Sequence, residues 1–174
     1  RPVAGVDLRI IMPVDLRPSE DVLQLGNRFG LVFVELPVGM EHPAARLHEI
    51  AQRTKQIKGS LDAAVAFGVL QVIGMASSEV ERQAIDLFSR RATAVVTNVP
   101  GPQQKLYLAG AQLTRLMFWV PQSGRIALGV SILSYDHEVS VGVTSDAGLV
   151  PDPQCLVIGI KKELAALAAL VRRR

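Results

Sequence analysis

The sequence predicts an α/β fold, and three observations carry that prediction. From Ile126 to Val143 branched apolar residues alternate with small ones, the period of a β-hairpin. Elsewhere, short branched runs such as LVFVEL at 31–36 give way to segments whose apolar residues recur every three or four positions. The length agrees. The 174 residues, 49% hydrophobic and 20% charged, suffice for a packed core without disulfides or metals and exclude intrinsic disorder.

Leu8 to Pro13 reads as a buried strand, and Leu31 to Leu36 as a second after the glycine-flanked GNRFG at 26–30. Pro43 suits a first helical position, with Leu47, Ile50, Thr54 and Ile57 on an inward face, Glu49 paired to Arg53, and Gly59 as the stop. Leu61 to Ala76 is apolar nearly all round, the mark of a helix buried on most sides. Ser78 and Glu81 have capping-box spacing and open a helix ending near Arg90 and Arg91. Thr93 to Thr97 is a strand ended by NVPGP, and Leu113 to Val120 is another. The hairpin turns at Tyr135 to Glu138. Asp152 caps and Pro153 opens a last helix with Leu156, Ile160, Leu164, Leu167 and Val171 on one face. The predicted order is ββαααββββα.

Charge and composition exclude several functions. Nineteen basic and sixteen acidic side chains give +3, which Arg172, Arg173 and Arg174 account for by themselves. With 5% aromatics there is little to stack on bases, so no nucleic-acid partner is expected. The single cysteine, Cys155, cannot form an internal disulfide and fits a reducing cytoplasm. Leu61 to Ala76 contains Asp62 and Gln71 and is shorter than the about 20 apolar residues of a membrane span. Arg1-Pro2 does not open a signal peptide, and the missing initiator Met points to a longer precursor.

No phosphate-binding glycine loop, nucleophile elbow or paired metal-ligating histidines are present. His42 and His48 are six apart, and His137 lies in an acidic turn of the ordinarily solvated kind. Cys155 is either a small core residue or a thiol at a helix start. One hairpin face is built of small residues, Ser131 among them. Either a helix lies close against it or a long, thin ligand runs along it.

GNRFG at 26–30, TNVPGP at 97–102 and VPQSGRIALGVSILSYDHEVSVGVTSDAGLVPDP at 120–153 resemble, in order and spacing, the C-terminal half of the bacterial wax ester synthase/diacylglycerol acyltransferase family. The resemblance covers nearly the whole chain, with NVPGP its most specific piece. It implies a chloramphenicol acetyltransferase-like half, a mixed sheet packed with helices. Residues 1–174 would then be the C-terminal domain of a two-domain acyl-CoA-dependent O-acyltransferase making triacylglycerol or wax ester. Its implied substrate-binding residues are Asn27, Asn98, Val99, Pro100, Gly101 and Pro102, and Ser131 joins them as a candidate from the small-residue hairpin face. Its implied partners are the N-terminal half, acyl-CoA as co-substrate with no resident cofactor, and diacylglycerol or a long-chain alcohol. A membrane or lipid-droplet surface is a further one.

The sequence departs from that family in two places. The signature HHxxxDG, whose second histidine is the general base, belongs to the N-terminal half, and no two adjacent histidines occur here. Asp136-His137 stands where relatives commonly carry a glycine. An alcohol needs a base of near-neutral pKa to attack a thioester, and the oxyanion needs preorganised donors. No catalytic residue is therefore assigned, and the chain alone is an incomplete enzyme. The alternative is a non-catalytic lipid-binding or interaction domain of the same fold.

Overall fold

The computed structural model describes residues 5–17, 28–58, 65, 68–69, 77–122 and 124–172. Strands β1 (Leu8–Asp15), β2 (Phe29–Leu36), β3 (Ala94–Pro100), β6 (Leu128–Tyr135) and β7 (Glu138–Ser145) form one mixed sheet in the order β2-β1-β3-β6-β7. A separate small ribbon pairs β4 (Tyr107–Leu108) with β5 (Ala111–Gln112). The helices are α1 (Pro43–Lys58), α2 (Ser78–Ser89) and α3 (Gln154–Val171). The expected helix over 61–76 lies almost wholly outside the described residues, as do Asn27, Gly59, Arg173 and Arg174.

Alternation sends the strand side chains to two cores. Ile10, Val32, Val34 and Ala94 pack on one sheet face with Ile57 of α1, and Ile11, Val95, Val120 and Ile126 pack on the other with Leu31 and Phe33. The antiparallel β1–β2 ladder runs from Leu8 against Leu36 to Asp15 against Phe29. β1 and β3, and then β3 and β6, pair in parallel, while β7 folds back along β6.

Several expected boundaries shift for physical reasons. β3 does not stop at Thr97 but continues through Asn98 and Val99 to Pro100. Its pairing with β1 ends at Val95, so that side has no ladder hydrogen bond for Pro100 to break. Leu113 to Val120 is not a strand. Both edges of β6 are already occupied, and this segment is held by single bonds, among them Leu113 N–H to Leu106 O at 2.9 Å. The N-cap of α2 is Ser77 rather than Ser78, and Asp152 does not cap α3, which starts from Pro153.

The helix faces differ too. The Glu49–Arg53 pair forms at 2.7 Å. Leu47, however, is exposed, and Arg53 turns to the sheet instead, reaching Asp7 at 2.8 Å and the Glu35 carbonyl at 2.7 Å. In α3, Leu156, Ile160 and Leu167 are half-buried, but Leu164 and Val171 are 57% and 76% exposed. α3 lies beside α1, with Glu163 accepting from Arg46, so its inward stripe is narrower than the sequence pattern implies.

The small-residue hairpin face is covered neither by a helix nor by open space. Residues 118–122 lie across it. A Cβ on Gly129 would stand 2.8 Å from Val120, and one on Gly142 3.2 Å from the Phe118 carbonyl. The hairpin turns through Asp136 and His137, both with positive φ (46° and 64°), the backbone of a type I′ turn built here without glycine.

Candidate functional site

Parallel pairing gathers the carboxyl ends of β1, β3 and β6 at one edge of the sheet, and Phe29 at the start of β2 joins them beside Asp15. That edge is where open α/β sheets present ligand sites. A depression of about 250 Å³ lies there, lined by Asp15, Arg17, Arg28, Phe29, Asn98 and Pro100 among others. Arg17 grips the Asp15 carboxylate through Nη2 at 2.7 Å, Nε at 3.0 Å and its backbone N–H at 3.0 Å. These hydrogen bonds lower the Asp15 pKa to about 2 against a small opposing effect of desolvation. Asp15 is thus fixed as an anion and is a poor proton acceptor near neutral pH.

Behind this edge, between the sheet and α2, is an apolar cavity of about 560 Å³. Ile11, Leu31 and Val95 form its sheet wall, Ile85 and Phe88 its helix wall, and Val120 closes a third side. Pro13, Phe29 and Thr97 line both the cavity and the edge depression, so the apolar space opens at the polar edge. Its volume falls within the roughly 300–1,000 Å³ of small-molecule sites. Gly124, at φ 64°, lets the loop beyond Pro121 press on α2, since a Cβ there would stand 2.6 Å from Ser89 Oγ.

NVPGP divides between two tasks. Asn98, Val99 and Pro100 line the edge depression, while Gly101 and Pro102 are fastened to the end of β6. Gly101 N–H donates to Ser134 Oγ at 3.3 Å, and Asp136 N–H donates to the Pro102 carbonyl at 3.2 Å. Gln103 donates to the Gly101 carbonyl at 2.9 Å. The Tyr135 hydroxyl donates to Leu113 O at 2.8 Å and accepts from Leu106 N–H at 2.9 Å. Two sequence motifs some thirty residues apart are therefore a single junction.

The other candidates fall elsewhere. Ser131 is buried, and its hydroxyl donates to the Phe118 carbonyl at 2.6 Å, so it braces the covering segment and does not line the edge depression. No described histidine lines the cavity or the depression. His48 bonds Gln52 at 2.9 Å, and His137 sits in the hairpin turn. Cys155 is exposed rather than in the core, its thiol donating to Asp152 O at 2.8 Å. Among the described residues, no three His, Cys, Asp or Glu side chains come together as a metal site. Sequence reasoning missed Asp15, Arg17, Arg28, Phe29 and Phe88. Arg28 and Phe29 were visible inside GNRFG, but nothing local tied Asp15-Leu16-Arg17 to them.

Comparison with known proteins agrees with this architecture. Residues 25–168 match the WS/DGAT C-terminal domain, and the chain belongs to that family of acyltransferase domains. A probable diacylglycerol O-acyltransferase of Mycobacterium tuberculosis (strain ATCC 25618 / H37Rv) is 28% identical over 171 residues, covering 96% of this chain and 37% of the relative. Wax ester synthase/diacylglycerol acyltransferase 11 of Arabidopsis thaliana is 26% identical over 183 residues, covering 100% of this chain and 35% of that protein. The solved wax ester synthase/diacylglycerol acyltransferase from Marinobacter aquaeolei VT8 superposes with a TM-score of 0.58 at 21% identity, over 94% of this chain and 36% of its own. That likeness carries the fold. The chain spans little more than a third of the length of each of these proteins.

Proposed function

We propose that this chain is the substrate-holding, C-terminal half of an acyl-CoA-dependent O-acyltransferase acting on diacylglycerol or a long-chain alcohol. The observation that carries the reading is the apolar cavity that opens at the same sheet edge as Asn98, Val99, Pro100 and Arg28. The names of the relatives supply the chemistry, an acyl group passed to an alcohol oxygen. In that reaction the alcohol oxygen bonds to the thioester carbonyl carbon, the alcohol proton goes to a base, and the coenzyme thiolate leaves. This chain's share is to hold the hydrocarbon in an apolar space and exclude water from the reacting carbonyl. Asn98 and the rigid Val99-Pro100 stretch border the cleft, and Gly101 and Pro102 keep them in place from behind. Arg28 adds positive charge on the side where a polyanionic coenzyme would approach.

The base comes from the N-terminal half carrying HHxxxDG, as the family resemblance implies. Asp15 is too weak a base for that role while Arg17 holds its pKa low. No described helix is long and apolar enough to cross a membrane. A long-chain acyl-CoA with a photoreactive group at the chain terminus tests the reading. Labelling of Val95 or Phe88 inside the cavity is the expected result, and labelling confined to residues outside it would overturn the reading.

A further inference from the structure

The β1–β2 ladder forms a graded track along the cavity face of the sheet. Its rungs are Asp15 with Phe29, Pro13 with Leu31, Ile11 with Phe33, and Arg9 with Glu35. The first rung lies at the polar edge and the next two are apolar. The last is an ion pair at 2.5 Å. From the Asp15 rung to the Ile11 rung is about 14 Å, at about 3.4 Å per residue.

At the end of the apolar rungs, the ring of Phe33 from β2 stacks on the ring of Phe88 from α2, with centroids 6.0 Å apart and planes 4° from parallel. The two rings face different spaces. Phe88 lines the apolar cavity, whereas Phe33 lines a second depression of about 490 Å³ bordered by Arg9, Glu35, Arg53 and Arg91. No described residue lines both spaces. The aromatic stack stands between an apolar chamber and a charged one.

We infer that the Phe33–Phe88 stack is the end wall of the hydrocarbon site and sets the longest chain that the cavity accepts. This rests on the reading that the cavity holds a hydrocarbon. Inside the chamber each added methylene meets apolar walls and raises affinity by about fourfold. At the stack that gain ends. A longer chain must bend back toward the mouth or force apart two rings held by their own offset packing. Beyond the rings, Arg9, Glu35 and Arg53 are held in ion pairs and offer nothing to a methyl terminus. Phe33 and Phe88 are specificity-determining residues, not catalytic ones.

The test is binding of a homologous series of saturated fatty acids, short to long, to the 174-residue chain by displacement of a fluorescent alkyl probe. Affinity should climb by about fourfold per methylene and then level off. In Phe88→Ala the plateau should move to longer acids. Ala84→Leu, one helical turn earlier on the same cavity wall, should move it to shorter ones without touching the stack. Circular dichroism identifies any variant that has not folded, and the Ala84→Leu result decides the matter if Phe88→Ala is lost. A plateau unmoved in folded variants, or no plateau in the wild type, would overturn the end wall while leaving the hydrocarbon reading in place. If no acid in the series bound, the hydrocarbon reading itself would fall.

Discussion

A Cβ on Gly101 would stand 2.2 Å from the carbonyl oxygen of Ser134, so the strand-end loop and the hairpin meet with no room for a side chain. The obstacle is backbone, which cannot swing aside as a flexible side chain would. Gly101→Ala should therefore lower the unfolding free energy by about 2 kcal/mol, a typical overpacking cost. For a chain of this size that is a drop of roughly 4–8 °C in Tm. Asn98→Ala changes an exposed residue near the end of β3 and should leave Tm nearly unchanged while reducing turnover when the N-terminal half is present. Thermal melts and activity assays on the two variants separate the structural half of NVPGP from the half facing the cleft.

The Asp15 carboxyl should titrate near pH 2, because Arg17 donates three hydrogen bonds or more to its charged form. A lowered pKa stabilises the fold where the unfolded carboxyl would also be ionised, above its ordinary 3.8, and that stabilisation fades as pH falls from about 4 toward 2. Both side chains are partly exposed, so the contribution is small and constant around neutral pH. Carboxyl-carbon NMR titration should give a midpoint near 2 in the wild type and a higher one in Arg17→Ala, still below 3.8 because the residue-17 backbone N–H remains.

Residues 106–119 expose Tyr107 (63%), Leu108 (69%) and Trp119 (61%), large apolar surfaces that a lone chain leaves in water. The isolated chain should self-associate. Light scattering should show oligomers at micromolar concentration, reduced by a Leu108→Glu, Trp119→Ser double variant. A monodisperse wild-type monomer would go against this.

Arg172 is exposed at the end of α3, and Arg173 and Arg174 follow it in sequence. Near an anionic surface each such charge adds roughly 1 kcal/mol of attraction. Co-sedimentation with anionic vesicles should weaken at high salt and when all three become alanine. Salt-independent binding, unchanged in that variant, would place docking elsewhere.

Much of the fold was legible because its signals are local. The hairpin alternation, Pro43 at a helix start and the branched run of β2 each name their own structure. What could not be read depended on which elements became neighbours. Leu113 to Val120 has a strand's composition, yet β3 and β7 already occupy both edges of β6. Pro100 looks like a strand terminator until β1 is seen to leave its side free. At the site, NVPGP and SY were visible as motifs, but their contact was not. The cavity was hidden altogether, since Ile11, Phe88 and Val120 come from three distant segments and are united only by packing.

On this reading the chain holds the substrate while the proton-accepting base comes from another half of the enzyme. Transfer of a labelled acyl group from acyl-CoA to diacylglycerol and to a long-chain alcohol tests it most directly, measured with the purified chain alone and with the HHxxxDG-bearing half added. The chain alone should give no ester, and ester should form once both halves are present. Turnover by the purified chain without that half would contradict it.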